Sequence, residues 1–250
     1  MPAEETFALI VGGGPVGLSA ALELGWRRLP AILVTQNLET AQHPKCNSTN
    51  ARSMEHFRRL GVAAEIRRHG LPPDYPRENA YVTRFCGYEL ARFQRLFTAA
   101  AGGASPWQTP ELPHIIAQIF LEPILKQKAE QLESVSMRFG WRLLSFATGE
   151  DGVRALVEDV GSGERREIKA QYMIAADGAR SLVRQQLGID MQGEDGSIER
   201  AFMAGTMLSY FIRAPELYAA SGRKPAIINW ILNHEVRGFF FPQDGKELWI

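Results

Sequence analysis

The stretch Phe7-Ala8-Leu9-Ile10-Val11-Gly12-Gly13-Gly14-Pro15-Val16-Gly17 constrains this chain more than any other. Five apolar residues in succession read as a strand buried on both faces. Gly12, Gly14 and Gly17 then fit G-x-G-x-x-G where a strand gives way to a helix. The three glycines serve different ends. Gly12 makes the tight turn, Gly14 lets a pyrophosphate approach the backbone, and Gly17 lets the helix lie close to the strand. Pro15 suits the first helical turn, where a missing N–H loses no bond. With Val16 it opens a helix whose unpaired N–H groups and positive dipole end point at phosphates. Glycine-rich turns are common. The preceding strand and following helix make this one read as a dinucleotide site.

Ala20, Ala21, Leu22 and Leu24 carry the helix to about Arg28, and Pro30 ends it. Ala31-Ile32-Leu33-Val34 is a second buried strand, which completes a βαβ opening. A dinucleotide site usually ends this strand with an acid that holds a ribose hydroxyl. Here Thr35-Gln36-Asn37 follows, with no acid before Glu39. A hydrogen bond to a charged acceptor contributes roughly 1.5–3 kcal/mol and a neutral one about 0.5–1.5. Gln36 in the acid's place therefore loses about 1 kcal/mol, a several-fold weakening that leaves the motif standing.

The 250 residues carry 28 basic and 28 acidic side chains, and this balance argues against a nucleic-acid partner. Cys46 and Cys86 are too few for a disulfide framework. No apolar run approaches the roughly 20 residues of a membrane span, and Met1–Thr6 leaves no room for a signal peptide. A cytoplasmic protein is expected. His43 and Cys46 lack a second ligand pair, so no metal site is expected.

Ala51–Leu60 reads as a helix with Met54, Phe57 and Leu60 on one face, leaving Arg52 free in its first turn. Alone, Arg52 is one more solvated arginine beside Arg58 and Arg59. Glu78–Phe85 and Gly87–Phe93 suggest two strands, and residues 94–113 a long loop. Ile115–Leu132 is expected to be helical, with Pro123 inside and Gln118 near its start as an ordinary exposed residue. Ser136–Phe146, Gly152–Val160 and Glu167–Ala176 read as strands, the last running into Asp177-Gly178 and a helix capped by Ser181. An Asp-Gly at the end of a buried strand is where α/β sheets place ligand contacts, and equally a plain turn. Ala201–Arg213, Ala226–Leu232, Arg237–Pro242 and Lys246–Ile250 suggest antiparallel strands, the last two joined across Asp244-Gly245. Because the chain stops inside an expected strand, a fragment is expected.

Four features stand in order: the glycine turn, Arg52 within His43-Pro44-Lys45-Cys46-Asn47-Ser48-Thr49-Asn50-Ala51-Arg52-Ser53-Met54-Glu55, Gln118, and Ala176-Asp177-Gly178-Ala179-Arg180-Ser181-Leu182-Val183-Arg184. Together they resemble the class A flavoprotein aromatic hydroxylases of the p-hydroxybenzoate hydroxylase type, particularly the phenol and polyketide branch. The resemblance implies an α/β fold: a Rossmann-like FAD-binding domain over 1–76 and 110–190. Residues 77–109 and 191–250 would start a mostly antiparallel β substrate domain. It implies FAD contacts at Gly12, Gly14, Pro15, Val16, Gly17, Gln36, Arg52, Gln118, Asp177 and Gly178, with NAD(P)H as co-substrate. The implied reaction hydroxylates a small phenolic ring with O2 through a flavin C4a-hydroperoxide. No catalytic side chain is assigned, and a homo-oligomer is left open. The family's third motif, a Gly-Asp near the ribityl chain, has no match within the 250 residues. An NAD(P)-dependent dehydrogenase and a non-catalytic flavin-binding protein remain as alternatives.

Overall fold

A computed structural model describes residues 3–72, 74–94, 109–191 and 207–250. β1 (Glu4–Val11) runs into the glycine turn and α1 (Pro15–Trp26), with Gly14 at the N-cap and Pro15 in the first helical position. β2 (Ala31–Thr35) is buried at all five positions. After β3 (Ser48–Thr49), α2 (Ala51–Arg59) begins where the Asn50 side chain accepts from the Ser53 N–H. Met54, Phe57 and Leu60 are buried together, as the periodicity requires. Next come α3 (Ala63–His69), β4 (Glu78–Val82), β5 (Glu89–Gln94), β6 (His114–Ile115) and α4 (Gln118–Glu130). Helix α4 starts later than the expected Ile115, because His114 and Ile115 pair antiparallel with Thr49 and Ser48.

The expected single strand over 136–146 is two: β7 (Val135–Phe139) and β8 (Trp141–Gly149). Gly140 between them has φ 81°, a left-handed conformation that breaks the extended run. β9 (Gly152–Asp159), β10 (Arg165–Ala175) and α5 (Leu182–Gln186) follow. The remaining elements are β11 (Ile212–Arg213), α6 (Leu217–Ser221), β12 (Ile228–Leu232), β13 (Arg237–Phe240) and β14 (Leu248–Trp249). Of the strand expected over 201–213, residues 201–206 lie outside the described residues, and only Ile212–Arg213 of the rest is strand. Residues 95–108 of the expected long loop also lie outside them. Among the described residues, no helix is long and apolar enough to cross a membrane.

The chain divides into two compact units, 1–42 with 122–208 and 43–121 with 209–250. The first holds a six-stranded sheet in the order β7-β2-β1-β10-β9-β8. Strands β7, β2, β1 and β10 are parallel, and β9 and β8 continue as an antiparallel meander. Leu9, Val11, Ile32, Val34, Val157 and Ile168 pack in its core. The parallel register sets Val11 against Ala175, so β1 and β10 end side by side. This register places the glycine turn next to the Asp177-Gly178 segment.

The second unit holds the sheet β13-β12-β4-β5. Strand β12 pairs antiparallel with β13 and β5 antiparallel with β4, whereas β12 and β4 are parallel, so this sheet is mostly antiparallel. A hairpin dictates strand direction only between sequence neighbours, and β4 and β12 are far apart in the chain. Phe93, Tyr81, Trp230, Phe239 and Phe241 form a continuous aromatic ladder with ring centroids 4.9–6.2 Å apart. The hairpin across Asp244-Gly245 is present: Phe241 and Ile250 exchange backbone hydrogen bonds, and the Asp244 carboxylate accepts from three following N–H groups.

Candidate functional site

Backbone packing explains two of the three motif glycines. Gly12 has φ 115°, and a Cβ there would fall on the Ala176 carbonyl and lie 2.9 Å from the Asp177 nitrogen. A Cβ on Gly17 would fall on the Gly12 carbonyl oxygen. Gly14 differs: its backbone is ordinary extended, and among the described residues a Cβ would meet only Glu122 Oε1, at 3.9 Å. The missing side chain at Gly14 therefore leaves space in front of the α1 N-terminus, which no side chain among the described residues caps. The Gly12 N–H donates to Val34 O at 2.8 Å and Leu18 N–H to Gly14 O at 2.9 Å, which ties the turn to β2 and winds the helix, with Pro15 and Val16 in its first turn. Gly13, which the motif leaves unspecified, is also constrained, since a Cβ would press to 2.7 Å from the Thr35 methyl.

Ala176 N–H donates to Val11 O at 2.8 Å and so delivers Asp177 beside Gly12. Asp177 Oδ2 accepts from the Val183 N–H at 3.3 Å, whereas Oδ1 is buried with no hydrogen-bond partner among the described residues. Leaving a buried acceptor unmet costs about 1–3 kcal/mol, so Oδ1 is a position for a donor from a ligand. Gly178 takes φ 81°, and Ser181 caps α5 by accepting from the Arg184 N–H. Gln36 is exposed directly after β2, so the strand ends without a charge. Open space at Gly14, an uncapped helix N-terminus and an unmet acceptor at Asp177 fit a dinucleotide. An anion at such a helix end contributes about 0.3–1 kcal/mol, up to ~2 where partly buried.

Sequence reasoning missed Glu122. It is 2% exposed, and its Oε2 accepts from the Ala41 N–H at 2.6 Å while Oε1 lies toward Gly14. The available signal was an acid four residues after Gln118, on the same helix face.

Arg52 and Gln118 belong to the second unit. Gln118 is 8% exposed rather than an ordinary exposed glutamine: its side-chain oxygen accepts from Lys45 N–H at 3.0 Å, and its own N–H donates to Cys46 O at 2.9 Å. It thus clamps the polar loop that precedes α2. Arg52 is not free in its turn. Its guanidinium donates to Glu55 Oε2 at 2.7 Å, although the side chain is 75% exposed. Glu55 also accepts from the Thr109 hydroxyl at 2.5 Å, and that bond, followed by the one from Arg52, holds its carboxyl below the usual range.

A family model described as an FAD binding domain matches residues 5–249. The chain is 34% identical over 241 residues to 4-methyl-5-nitrocatechol 5-monooxygenase of Burkholderia sp, covering 96% of this chain and 41% of that protein. It is 32% identical over 236 residues to 2,4-dichlorophenol 6-monooxygenase of Delftia acidovorans, covering 91% and 38%. Among solved structures, it is similar to the flavin-dependent monooxygenase PieE in complex with FAD and substrate, with TM-score 0.85 and 28% identity over all of this chain and 42% of that one. It is also similar to the rebeccamycin biosynthetic enzyme RebC with reduced flavin, with TM-score 0.82 and 35% identity over 99% of this chain and 46% of that one. The chain spans about two-fifths of the length of these curated relatives. With the family model covering nearly all of it, the chain belongs to the FAD binding domain family, among relatives that are monooxygenases of phenols and catechols.

Proposed function

We propose that the protein is an FAD-dependent monooxygenase that hydroxylates a small phenolic substrate with NAD(P)H and O2. One observation carries this reading: β1 and β10 end together, so Asp177, with its unmet acceptor, starts against Gly12 of the glycine turn, whose next motif glycine, Gly14, leaves open space. The named activities of the relatives support the aromatic substrate class. In this reading residues 1–76 and 110–190 hold FAD, and 77–109 and 191–250 contribute to substrate binding. Gly12, Gly14, Pro15, Val16 and Gly17 receive the pyrophosphate, Asp177 and Gly178 line the same site, and Gln36 lies beside the ribose. Arg52 and Gln118 are cofactor contacts. When bound, FAD supplies the redox chemistry; the chain's own residues bind it, orient it and exclude water. Cys46 and Cys86 are exposed and outside any disulfide, which suits a cytoplasmic setting.

The protein, purified as the full natural chain, should be yellow and release FAD on heating. It should oxidise NAD(P)H faster when phenols or catechols are added, with products heavier by one oxygen. A colourless protein that takes up NAD alone overturns the reading.

Arg52→Ala tests the assigned contact. It should weaken FAD binding about tenfold, the loss of one charge-assisted hydrogen bond. The melting temperature should hardly move, because exposed ion pairs such as Arg52–Glu55 contribute only about 0.2–1 kcal/mol. Arg59→Ala should leave FAD affinity unchanged. Equal small effects from the two variants would return Arg52 to the status of a surface charge.

A further inference from the structure

Glu122 is a buried carboxylate that the cofactor assignments above leave unused. One oxygen holds the loop after β2 through the Ala41 N–H at 2.6 Å. The other lies 3.9 Å from the point where a Gly14 Cβ would stand, at the edge of the space that a ligand on the glycine turn must enter. The whole residue is 2% exposed. A carboxylate has about four lone-pair sites, so an oxygen that already accepts one bond can accept another. Its charge repels a phosphate oxygen placed beside it and favours a hydroxyl. By contrast, β2 ends at the exposed, neutral Gln36, where a ribose-binding carboxylate is usual.

We infer that Glu122 is a cofactor-binding residue that accepts a hydrogen bond from a ribose hydroxyl of the dinucleotide, supplying from α4 the carboxylate that the end of β2 lacks. The inference rests on the flavoprotein reading and adds to it a residue and a ligand group. In this arrangement the glycine turn meets the pyrophosphate while Glu122 meets the adjoining sugar. The carboxylate disfavours a ligand that carries a further phosphate at that place.

The test compares ADP with 2′-deoxy-ADP and 3′-deoxy-ADP as competitors of FAD, first on the natural protein and then on Glu122→Gln. The amide of Gln retains an oxygen for the Ala41 N–H. On the natural protein at least one deoxy analogue should bind about tenfold more weakly than ADP. Glu122→Gln should bind all three alike, at about the affinity of that weaker analogue. A purely structural Glu122 would lower all three affinities together and keep their ratio, and a ratio that survives the substitution overturns the inference. So does a natural protein that binds the three nucleotides equally, a result that needs no variant to fold. A natural protein that takes up neither FAD nor ADP overturns the flavoprotein reading itself, whereas normal FAD uptake without ribose discrimination overturns only the role of Glu122.

Discussion

Gly12→Ala is expected to destabilise the first unit by about 4 kcal/mol, enough to leave much of the protein unfolded. Two effects add. The backbone at φ 115° is one an L-residue rarely adopts, and holding it there costs on the order of 1–3 kcal/mol. The new methyl would also overlap the Ala176 carbonyl, and overpacking of this kind costs about 1–3 kcal/mol. Gly14→Ala is expected to behave in the opposite way. Its backbone is extended and its Cβ has room, so the substitution costs at most about 1 kcal/mol, the difference between Gly and Ala at an N-cap. The methyl would nevertheless occupy the space assigned to the pyrophosphate, and FAD affinity should fall at least a hundredfold. Urea melts followed by circular dichroism, with flavin retention on gel filtration, measure both outcomes. Equal loss of stability in the two variants would show that Gly14 is a folding glycine like Gly12.

Acid should weaken the second unit through His114. This residue, on β6, is 5% exposed, and Nε2 is buried without a hydrogen-bond partner among the described residues. Burial is the main cause, with Arg67 and Arg77 adding repulsion, that pushes its pKa down from 6.5 to about 4. The ring is therefore neutral in the folded protein over a range where it is charged in the unfolded chain. Between pH 6.5 and 4 the unfolded chain binds the extra proton, so stability falls as pH falls, and below about 4 both states bind it and the loss levels off. The interval corresponds to about 3 kcal/mol. His114→Gln should remove most of this slope when urea midpoints are compared at pH 7, 5.5 and 4.5. The carboxylates of Glu55 and Glu89, held low by their hydrogen-bonded partners, act in the same direction but at lower pH. A slope unchanged in His114→Gln would assign the acid sensitivity to other groups.

Short-range patterns in the sequence determined the first βαβ unit, the glycine turn, the buried face of α2 and the Ser181-capped helix. Each is written within a few residues: a continuous apolar run, a Gly-x-Gly spacing, a helical repeat, a capping side chain. The sequence also contained every residue of the candidate site, but not the reason for each. The three motif glycines look equivalent as letters, yet Gly12 and Gly17 are required by a carbonyl lying against them and Gly14 by open space. Gly13 is constrained by Thr35, across the βαβ unit. Only the parallel register of β1 with β10 brings Asp177 to Gly12. Only the fold buries Gln118 on a loop N–H and sets Glu122 beside the turn. The break at Gly140 and the parallel pairing of β12 with β4 were likewise decided in three dimensions. Local propensity acts over a few residues, whereas strand direction, close backbone approach and the burial of a polar side chain depend on what the rest of the chain packs against them.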